Sequence, residues 1–263
     1  MKSICLSCLL YTLKDKEVKD NLYIDIFYIW LGKVIQSGGL TSSDFLQITM
    51  DSRTVEYFNS NNSPLPVLLE KLQCSYKIIE VDPPSTSIEG MMNKYNLTEY
   101  DQDIYIYCDI DILISNSFHT LMPLVENNTA YFCKEGSLSH DNYGEGFNHG
   151  ISDNLHGFSA GKFIIAGKLI RDSLFNIIKQ ACNYSTKFYT VEQPYFNYAI
   201  YSLPRDTLSI DTDLLTGYVC FNGNEGYDKN KTIFNDMAGD PANGEAHLKK
   251  IIQVISLYLS GIY

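Results

Sequence analysis

The stretch "YIYCDIDILIS", residues 105–115, is a run of Ile, Tyr and Leu that also contains Asp109 and Asp111. Apolar and aromatic residues at this density predict a buried strand, where a charged side chain is costly unless it is paired or bound to a metal. In an extended strand, side chains two residues apart point to the same side. We therefore expect the two carboxylates to lie together where the strand ends, with a cation beside them.

The segments before this stretch alternate between strand-like and helix-like patterns. We predict strands at 4–12, 44–51, 76–81 and 103–114, separated by helices at 21–39, 65–73 and 87–95. Such alternation predicts an α/β fold, with a mostly parallel sheet flanked by helices. Ligands of such sheets bind beyond the carboxyl ends of the strands, where Asp109 and Asp111 are expected.

The second half of the sequence is less regular. We predict strands at 129–133 and 158–167, a polar glycine-rich loop at 140–157, and helices at 168–183, 191–203 and 245–259. Thr190 and Gln193 have the spacing of a capping box, with Thr190 as the N-cap and Gln193 at the third helical position. The absence of repeats and linkers in the sequence predicts a single domain over residues 1–263.

Composition restricts the possible partners. A net charge of -11 and a pI near 4.8 argue against nucleic-acid binding, which needs a basic surface. A phosphate-bearing substrate would therefore need a bound cation. The seven cysteines show no zinc-site spacing and favour reduced thiols in the cytoplasm. The apolar residues 1–13 favour a buried strand over a signal peptide, and no stretch is long enough for a transmembrane segment.

A hard divalent ion, Mn²⁺ or Mg²⁺, suits the Asp109-x-Asp111 pair. Such ions are held by one or two carboxylates together with phosphate oxygens of a substrate. The alternative is that both aspartates are merely hydrated at the end of a strand. Other motifs in the chain favour metal binding by these two aspartates.

Five short motifs, in order, resemble those of the GT-A glycosyltransferases, in particular the glycogenin-like family. They are "LLYT" (9–12), "NKYNLTEYDQDIYIYCDIDILI" (93–114), "FSAGKFIIA" (158–166), "VEQPYFNY" (191–198) and "DMAGDPANGEAHLKK" (236–250). The resemblance implies a GT-A (Rossmann-like) fold with a smaller mixed region in its second half. Residues 1–115 would form the nucleotide-binding half, and residues 116–263 the half that holds donor sugar and acceptor.

The resemblance also implies roles for individual residues. The metal ligands would be Asp109, Asp111 and Asp236, and the catalytic residues Glu192 and Gln193, facing the donor sugar. The contacts to donor and cofactor would come from Tyr11, Thr12, Lys94, Asp109, Ser159, Gly161, Gly239 and His247. The chain departs from the family twice, because Asp236 stands where a metal-binding His is usual and His247 where a Lys is frequent.

The implied activity is metal-dependent transfer of a hexose from a nucleotide-sugar, a UDP-sugar, to a hydroxyl group with retention of configuration. The acceptor would be a glycan, a protein or a small molecule. Three alternatives remain open at this point. They are a haloacid-dehalogenase-like phosphatase, although its Asp-x-Asp usually lies on the first strand; a nucleotidylyltransferase, which normally begins with a glycine-rich basic loop; and a non-catalytic nucleotide-sugar-binding protein.

Overall fold

The computed structural model describes most of the chain. The described residues are 2–60, 63–138, 155–184, 190–204, 209–221, 227–237, 248–249 and 252. Gly239, His247, most of the predicted loop 140–157 and most of the predicted helix 245–259 lie outside the described residues.

Strands and helices alternate through the first half, as the sequence predicts. The strands are β1 (Ile4–Leu10), β2 (Phe45–Asp51), β3 (Ser75–Val81), β4 (Ile104–Cys108), β5 (Ile112–Ile114), β6 (Thr129–Ser137), β7 (His156–Ala166), β8 (Ser209–Asp211), β9 (Val219–Phe221) and β10 (Phe234–Asp236). The α-helices are α1 (Tyr23–Ser37), α2 (Ser52–Ser60), α3 (Leu65–Leu69), α4 (Ser87–Met92), α5 (Lys168–Ala181) and α6 (Gln193–Ser202).

The larger sheet has seven strands in the order β3-β2-β1-β4-β7-β6-β8. Strands β3, β2, β1 and β4 pair in parallel, β7 is antiparallel to both β4 and β6, and β8 is parallel to β6. A second sheet joins β5, β10 and β9 through one antiparallel and one parallel pairing. These sheets confirm the predicted α/β class, with a mostly parallel sheet and a smaller mixed region.

The larger sheet is covered on both faces. Every residue of β1 is buried, and its alternate side chains enter two different hydrophobic cores, with Leu6 in one and Cys5 in the other. The first core contains Trp30 from α1, and the second contains Phe175 from α5. Burial on both faces explains why the central strands are continuously apolar and do not alternate with polar residues.

The predicted strand 103–114 is two strands in the structure, and this prediction was wrong. Strand β4 ends at Cys108, and the Ile112 amide donates to the Asp109 carbonyl at 3.1 Å to close a turn. The chain then continues as β5 in the second sheet. Both strands are buried, so the apolar pattern runs through the turn without marking it. Asp109 and Asp111 therefore lie in a turn between sheets, and not on one face of a strand.

Two further differences concern helices. Helix α2 has no counterpart in the prediction; the Asp51 carboxylate begins it by accepting from the amides of Arg53 and Thr54. Thr190 is not the N-cap that the sequence predicts, because α6 begins at Gln193 with Glu192 in the N-cap position, and Val191 has a left-handed φ of 54°. A β-branched residue is strained in that region, so the chain turns sharply just before the helix.

All seven cysteines are free thiols, and six of them are buried, as the sequence predicts. Within the described ranges, no helix combines the length and the apolarity that a membrane span requires.

Candidate active site

The turn after β4 brings Asp109 against strand β7. The Asp109 amide donates to the Gly161 carbonyl at 2.8 Å, and its side chain, 24 % exposed, accepts from the Tyr107 hydroxyl at 2.6 Å. A Cβ at position 161 would come within 2.8 Å of the Asp109 carboxylate. The glycine in "FSAGKFIIA" is therefore what lets this carboxylate lie against the strand.

Lys94 forms the first of two buried cationic centres. Its Nζ lies 2.5 Å from Glu192 Oε1, 3.6 Å from Asp109 Oδ1 and 4.9 Å from the centre of the Tyr107 ring. The lysine side chain is fully buried. It thus joins the helical segment before β4, the turn after β4 and the start of α6 in one contact.

Lys162 on β7 forms the second centre. Its ammonium lies 2.5 Å from both Glu135 Oε1 and Asp236 Oδ2, and it donates to Ser159 Oγ at 3.2 Å. Its side chain is fully buried, and the Phe221 ring centre lies 5.2 Å away. Asp236, expected as a metal ligand, is therefore ion-paired with a lysine.

Negative charge dominates this region. Five carboxylates (Asp109, Asp111, Glu135, Glu192 and Asp236) accompany the two lysines. Burial, together with the neighbouring Asp109 and Asp236 carboxylates, raises the pKa of Asp111 to about 8. Burial also raises the pKa of Asp109, although Lys94 opposes this effect.

The pKa values of the two buried lysines are raised as well. Burial alone would lower the pKa of Lys94, but the Asp109 and Glu192 carboxylates outweigh it and raise that pKa. The Asp236 and Glu135 carboxylates likewise raise the pKa of Lys162 in spite of its burial. Both side chains therefore remain ammonium ions near neutral pH.

The carboxylates of the site suit a hard cation whose coordination is completed by a bound ligand. In the part of the chain that the structure describes, no group of three or more His, Cys, Asp or Glu side chains is placed to hold a metal ion. Asp109 and Asp111 supply two carboxylates in an over-negative environment, where Mg²⁺ or Mn²⁺ would also need phosphate oxygens and water. The residues present fit such an ion on these terms.

The loop after β1 holds Tyr11 and Thr12, both expected to contact the nucleotide. The Thr12 backbone amide donates to the Asp51 carboxylate at 2.8 Å. The buried Thr12 hydroxyl accepts from Nδ2 of the Asn21 side chain at 2.8 Å. The half-buried Tyr11 packs its ring against Gly90 of α4. Thr12 thus fixes the loop through its side chain, while Tyr11 lies on the side that faces α4.

Helix α6 is docked on β7 by two side chains one turn apart. The Gln193 Oε1 atom accepts from the Ala160 amide at 3.0 Å. Asn197 accepts from the Phe158 amide at 2.7 Å and donates to the Phe158 carbonyl at 2.9 Å. Strand β7 and the start of α6 therefore form one rigid corner of the site.

Most of the predicted site residues come together at this corner. Asp109, Asp111, Lys94, Glu192, Gln193, Ser159, Gly161 and Asp236 lie around the two lysine centres. Tyr11 and Thr12 lie on the adjoining loop, and Gly239 and His247 are outside the described residues. Sequence reasoning missed Glu135, Lys162 and Asn197. A lysine inside the apolar run "KFIIA" was the available signal for Lys162.

An open groove of about 910 Å³ lies at the carboxyl end of β3. Asp82, Pro84, Glu89 and Asn93 contribute to its lining, and none of the site's five carboxylates or two lysines does. The Lys14 amide donates to the Pro84 carbonyl at 2.9 Å, which connects the groove to the loop after β1. The charged chemistry therefore lies apart from this groove.

Comparison with known proteins identifies the fold. No protein-family model matches the sequence, and no curated protein matches it. Among solved structures, the chain is similar to apo WbbM, a bifunctional glycosyltransferase, with a TM-score of 0.56 and 13 % identity over 98 % of this chain and 51 % of that chain. It is also similar to the apo form of the glycosyltransferase GlyE from Streptococcus pneumoniae TIGR4, with a TM-score of 0.51 and 12 % identity over 99 % of this chain and 63 % of that chain.

These similarities show the fold alone, which is the GT-A-like fold of glycosyltransferases. The chain spans 51 % and 63 % of the lengths of the two proteins. What the whole protein does is therefore inferred from the site.

Proposed function

We propose that this protein is a metal-dependent glycosyltransferase that moves a hexose from a UDP-sugar to a hydroxyl acceptor with retention of configuration. One observation carries the proposal. Asp109 and Asp111 occupy a half-buried turn at the carboxyl end of a central strand, inside a group of carboxylates that outnumbers its lysines. Ligands of open α/β sheets bind at this end of the strands.

The charge of the site suits a donor that arrives with a cation. Mn²⁺ or Mg²⁺, when bound, would act as a Lewis acid toward the diphosphate leaving group. Asp109 and Asp111 would hold that ion, and Lys94, 3.6 Å from Asp109, keeps the Asp109 carboxylate oriented. A nucleotide with its metal adds little net charge, which fits a chain of net charge -11.

The residues of β7 and α6 would face the sugar. Ser159 and Gly161 come from a strand that approaches the Asp109 turn so closely that an added Cβ at position 161 would clash with the Asp109 carboxylate. Glu192 and Gln193 lie at the start of α6, with Glu192 paired to Lys94 at 2.5 Å. Their negative and polar groups would stabilise the positive charge that develops on the sugar in the transition state.

Donor turnover tests the proposal. Release of UDP from a panel of UDP-hexoses would be measured with Mn²⁺, with Mg²⁺ and with EDTA. We expect metal-dependent hydrolysis or transfer with at least one donor, and loss of that activity in Asp111→Asn. Asp101→Asn, a change at an exposed acid before β4, is the matched control and should keep full activity.

Other outcomes would point to the rival functions. Hydrolysis of p-nitrophenyl phosphate that disappears in Asp109→Asn would indicate a phosphatase. Exchange of pyrophosphate into the nucleotide-sugar would indicate a nucleotidylyltransferase. Binding of UDP-sugars with no turnover under any metal condition would indicate a binding protein. Each of these results would contradict the proposal.

A further inference from the structure

Lys162 is a charged residue in the interior of the main sheet. It lies on β7 opposite Cys108 of β4, with Gly161 before it and Phe163 after it, and its side chain is fully buried. A lysine ammonium has three N–H donors. Three oxygens receive them here: Glu135 Oε1 and Asp236 Oδ2 at 2.5 Å each, and Ser159 Oγ at 3.2 Å.

Stability alone is a poor reason for such a group. A buried ion network commonly contributes no more than well-packed apolar residues of similar volume would. The neighbouring positions of β7 carry Phe163, Ile164 and Ile165, so an apolar residue at 162 would be in keeping with the strand. The network instead joins β6 and β7 of the large sheet to β10 of the small sheet, at the edge of the acidic site.

We propose that Lys162 is a positioning residue that keeps the Asp236 carboxylate out of metal coordination, so that the cation is held by Asp109, Asp111 and the donor's phosphates alone. The inference rests on the proposed function. It also assigns Asp236 a role different from the one that sequence resemblance implies. The ammonium already binds Asp236 Oδ2, and a divalent ion brought to the same carboxylate would be repelled by that ammonium.

The same lysine orients a residue expected to face the sugar. The Ser159 hydroxyl accepts from Lys162 at 3.2 Å and from the Gly161 amide at 3.3 Å. Asp236 on β10 is paired with Ile112 of β5, the residue directly after Asp111, so it lies next to the turn that carries both aspartates. Asp236 therefore adds negative charge near the cation, while Lys162 holds it in place.

Mn²⁺ binding tests the inference without any need for turnover. Free Mn²⁺ is titrated by electron paramagnetic resonance in the presence of UDP, for wild type, Asp111→Asn, Lys162→Met and the double variant Lys162→Met/Asp236→Asn. The double variant removes one positive and one negative charge together, so the net charge of the site is unchanged. It should bind Mn²⁺ within twofold of wild type, whereas Asp111→Asn should bind at least tenfold more weakly.

The single variant gives the complementary result. Lys162→Met removes the ammonium that competes for Asp236, so Mn²⁺ binding should become at least fivefold tighter, or a second ion should bind. Where Lys162→Met fails to fold, the charge-balanced double variant decides alone. Circular dichroism of each variant establishes folding before the titration.

Two failures can be told apart. Double-variant binding that is tenfold weaker than wild type, with wild type still dependent on Asp111, would make Asp236 a ligand and overturn this inference alone. Wild-type protein that binds no Mn²⁺ even with UDP would overturn the metal dependence of the proposed function, and this inference with it.

Discussion

At Gly161, strand β7 approaches the Asp109 carboxylate so closely that no side chain fits between them. An added Cβ would lie 2.8 Å from Asp109 Oδ2 and 3.4 Å from the Ile112 side chain. The Asp109 amide is also tied to the Gly161 carbonyl at 2.8 Å, so the turn cannot simply move away. The carboxylate itself would have to turn, and with it the proposed metal site.

We expect Gly161→Ala to lower metal-dependent turnover on the order of 100-fold, because a displacement of about 1 Å at a reacting centre has that effect. The measurement is kcat/KM with the donor that the screen identifies. Gly32→Ala is the control, since a Cβ on that helical glycine meets nothing within 4 Å. It should leave turnover unchanged and raise the free energy of unfolding by about 0.5–1 kcal/mol.

Asp44 is a buried carboxylate with a purely architectural position. It accepts from the Ile4 amide at 2.8 Å, from the Thr41 amide at 2.6 Å and from the His119 ring at 2.8 Å. Burial would raise the pKa of Asp44, but the hydrogen bonds from His119, Thr41 and Ile4 together lower it. The group therefore fastens the start of the central strand β1.

This lowered pKa predicts a sign for the pH dependence of stability. A carboxyl group with a folded-state pKa below its unfolded value stabilises the fold above about pH 4, and that contribution is lost as the pH falls through the folded-state pKa. Asp44→Asn should lower the free energy of unfolding by about 2 kcal/mol at pH 7, and by clearly less at pH 3. Urea unfolding at both pH values measures this. An equal loss at the two pH values, or a similar loss in the exposed-site control Asp101→Asn, would contradict the prediction.

At the scale of elements, the sequence patterns predict the strands of the main sheet well and its connections less well. Strands β1, β2, β3 and β7 appear where the apolar runs predict them. Almost every residue of β1, β2 and β7 is buried, whereas β3 lies at the edge of the sheet and is partly exposed. The break at Asp109 and the helix start at Gln193 are set by tertiary contacts instead. Such contacts, from Gly161 to Asp109 and from Ala160 to Gln193, join residues far apart in the chain and leave no local pattern.

Helix α6 is the element that carries Glu192 into the site, and Asn197 is its main polar attachment. The Asn197 side chain forms hydrogen bonds with both the backbone amide and the carbonyl of Phe158, and Asn197 is fully buried. A buried backbone group without a partner costs about 1–3 kcal/mol. The attachment of α6 to β7 therefore depends strongly on this one side chain.

Asn197→Ala should lower the free energy of unfolding by about 2–5 kcal/mol, because two backbone groups lose their partner together. It should also lower turnover, since Glu192 and Gln193 lose their fixed position. Thermal and urea unfolding measure the first effect, and kcat at saturating donor measures the second. Ser202→Ala, an exposed change at the end of the same helix, should alter stability by no more than about 0.5 kcal/mol.

For the whole molecule, topology brings together residues that the sequence keeps apart. The site draws on β4, β6, β7, β10 and α6, and three of these strands are neighbours only because the sheet order is β4-β7-β6. The sequence predicts Asp109 and Asp111 as a pair because they are two residues apart, and Lys94 joins them only through the family resemblance. It does not predict that Glu135 and Asp236, about 100 residues apart, share the Lys162 ammonium.

The net charge of -11 predicts that Mn²⁺ binding depends on the salt concentration, because the negative charge of the whole chain attracts cations toward the acidic site. Raising the salt concentration from about 20 to about 200 mM shortens the screening length severalfold and should weaken Mn²⁺ binding by roughly three- to tenfold. The dissociation constant at each salt concentration measures this. NaCl and tetramethylammonium chloride should act equally, because screening depends on ionic strength, whereas direct competition for the carboxylates would make Na⁺ the stronger inhibitor. Affinity independent of salt would mean that the carboxylates next to the ion outweigh the charge of the rest of the chain.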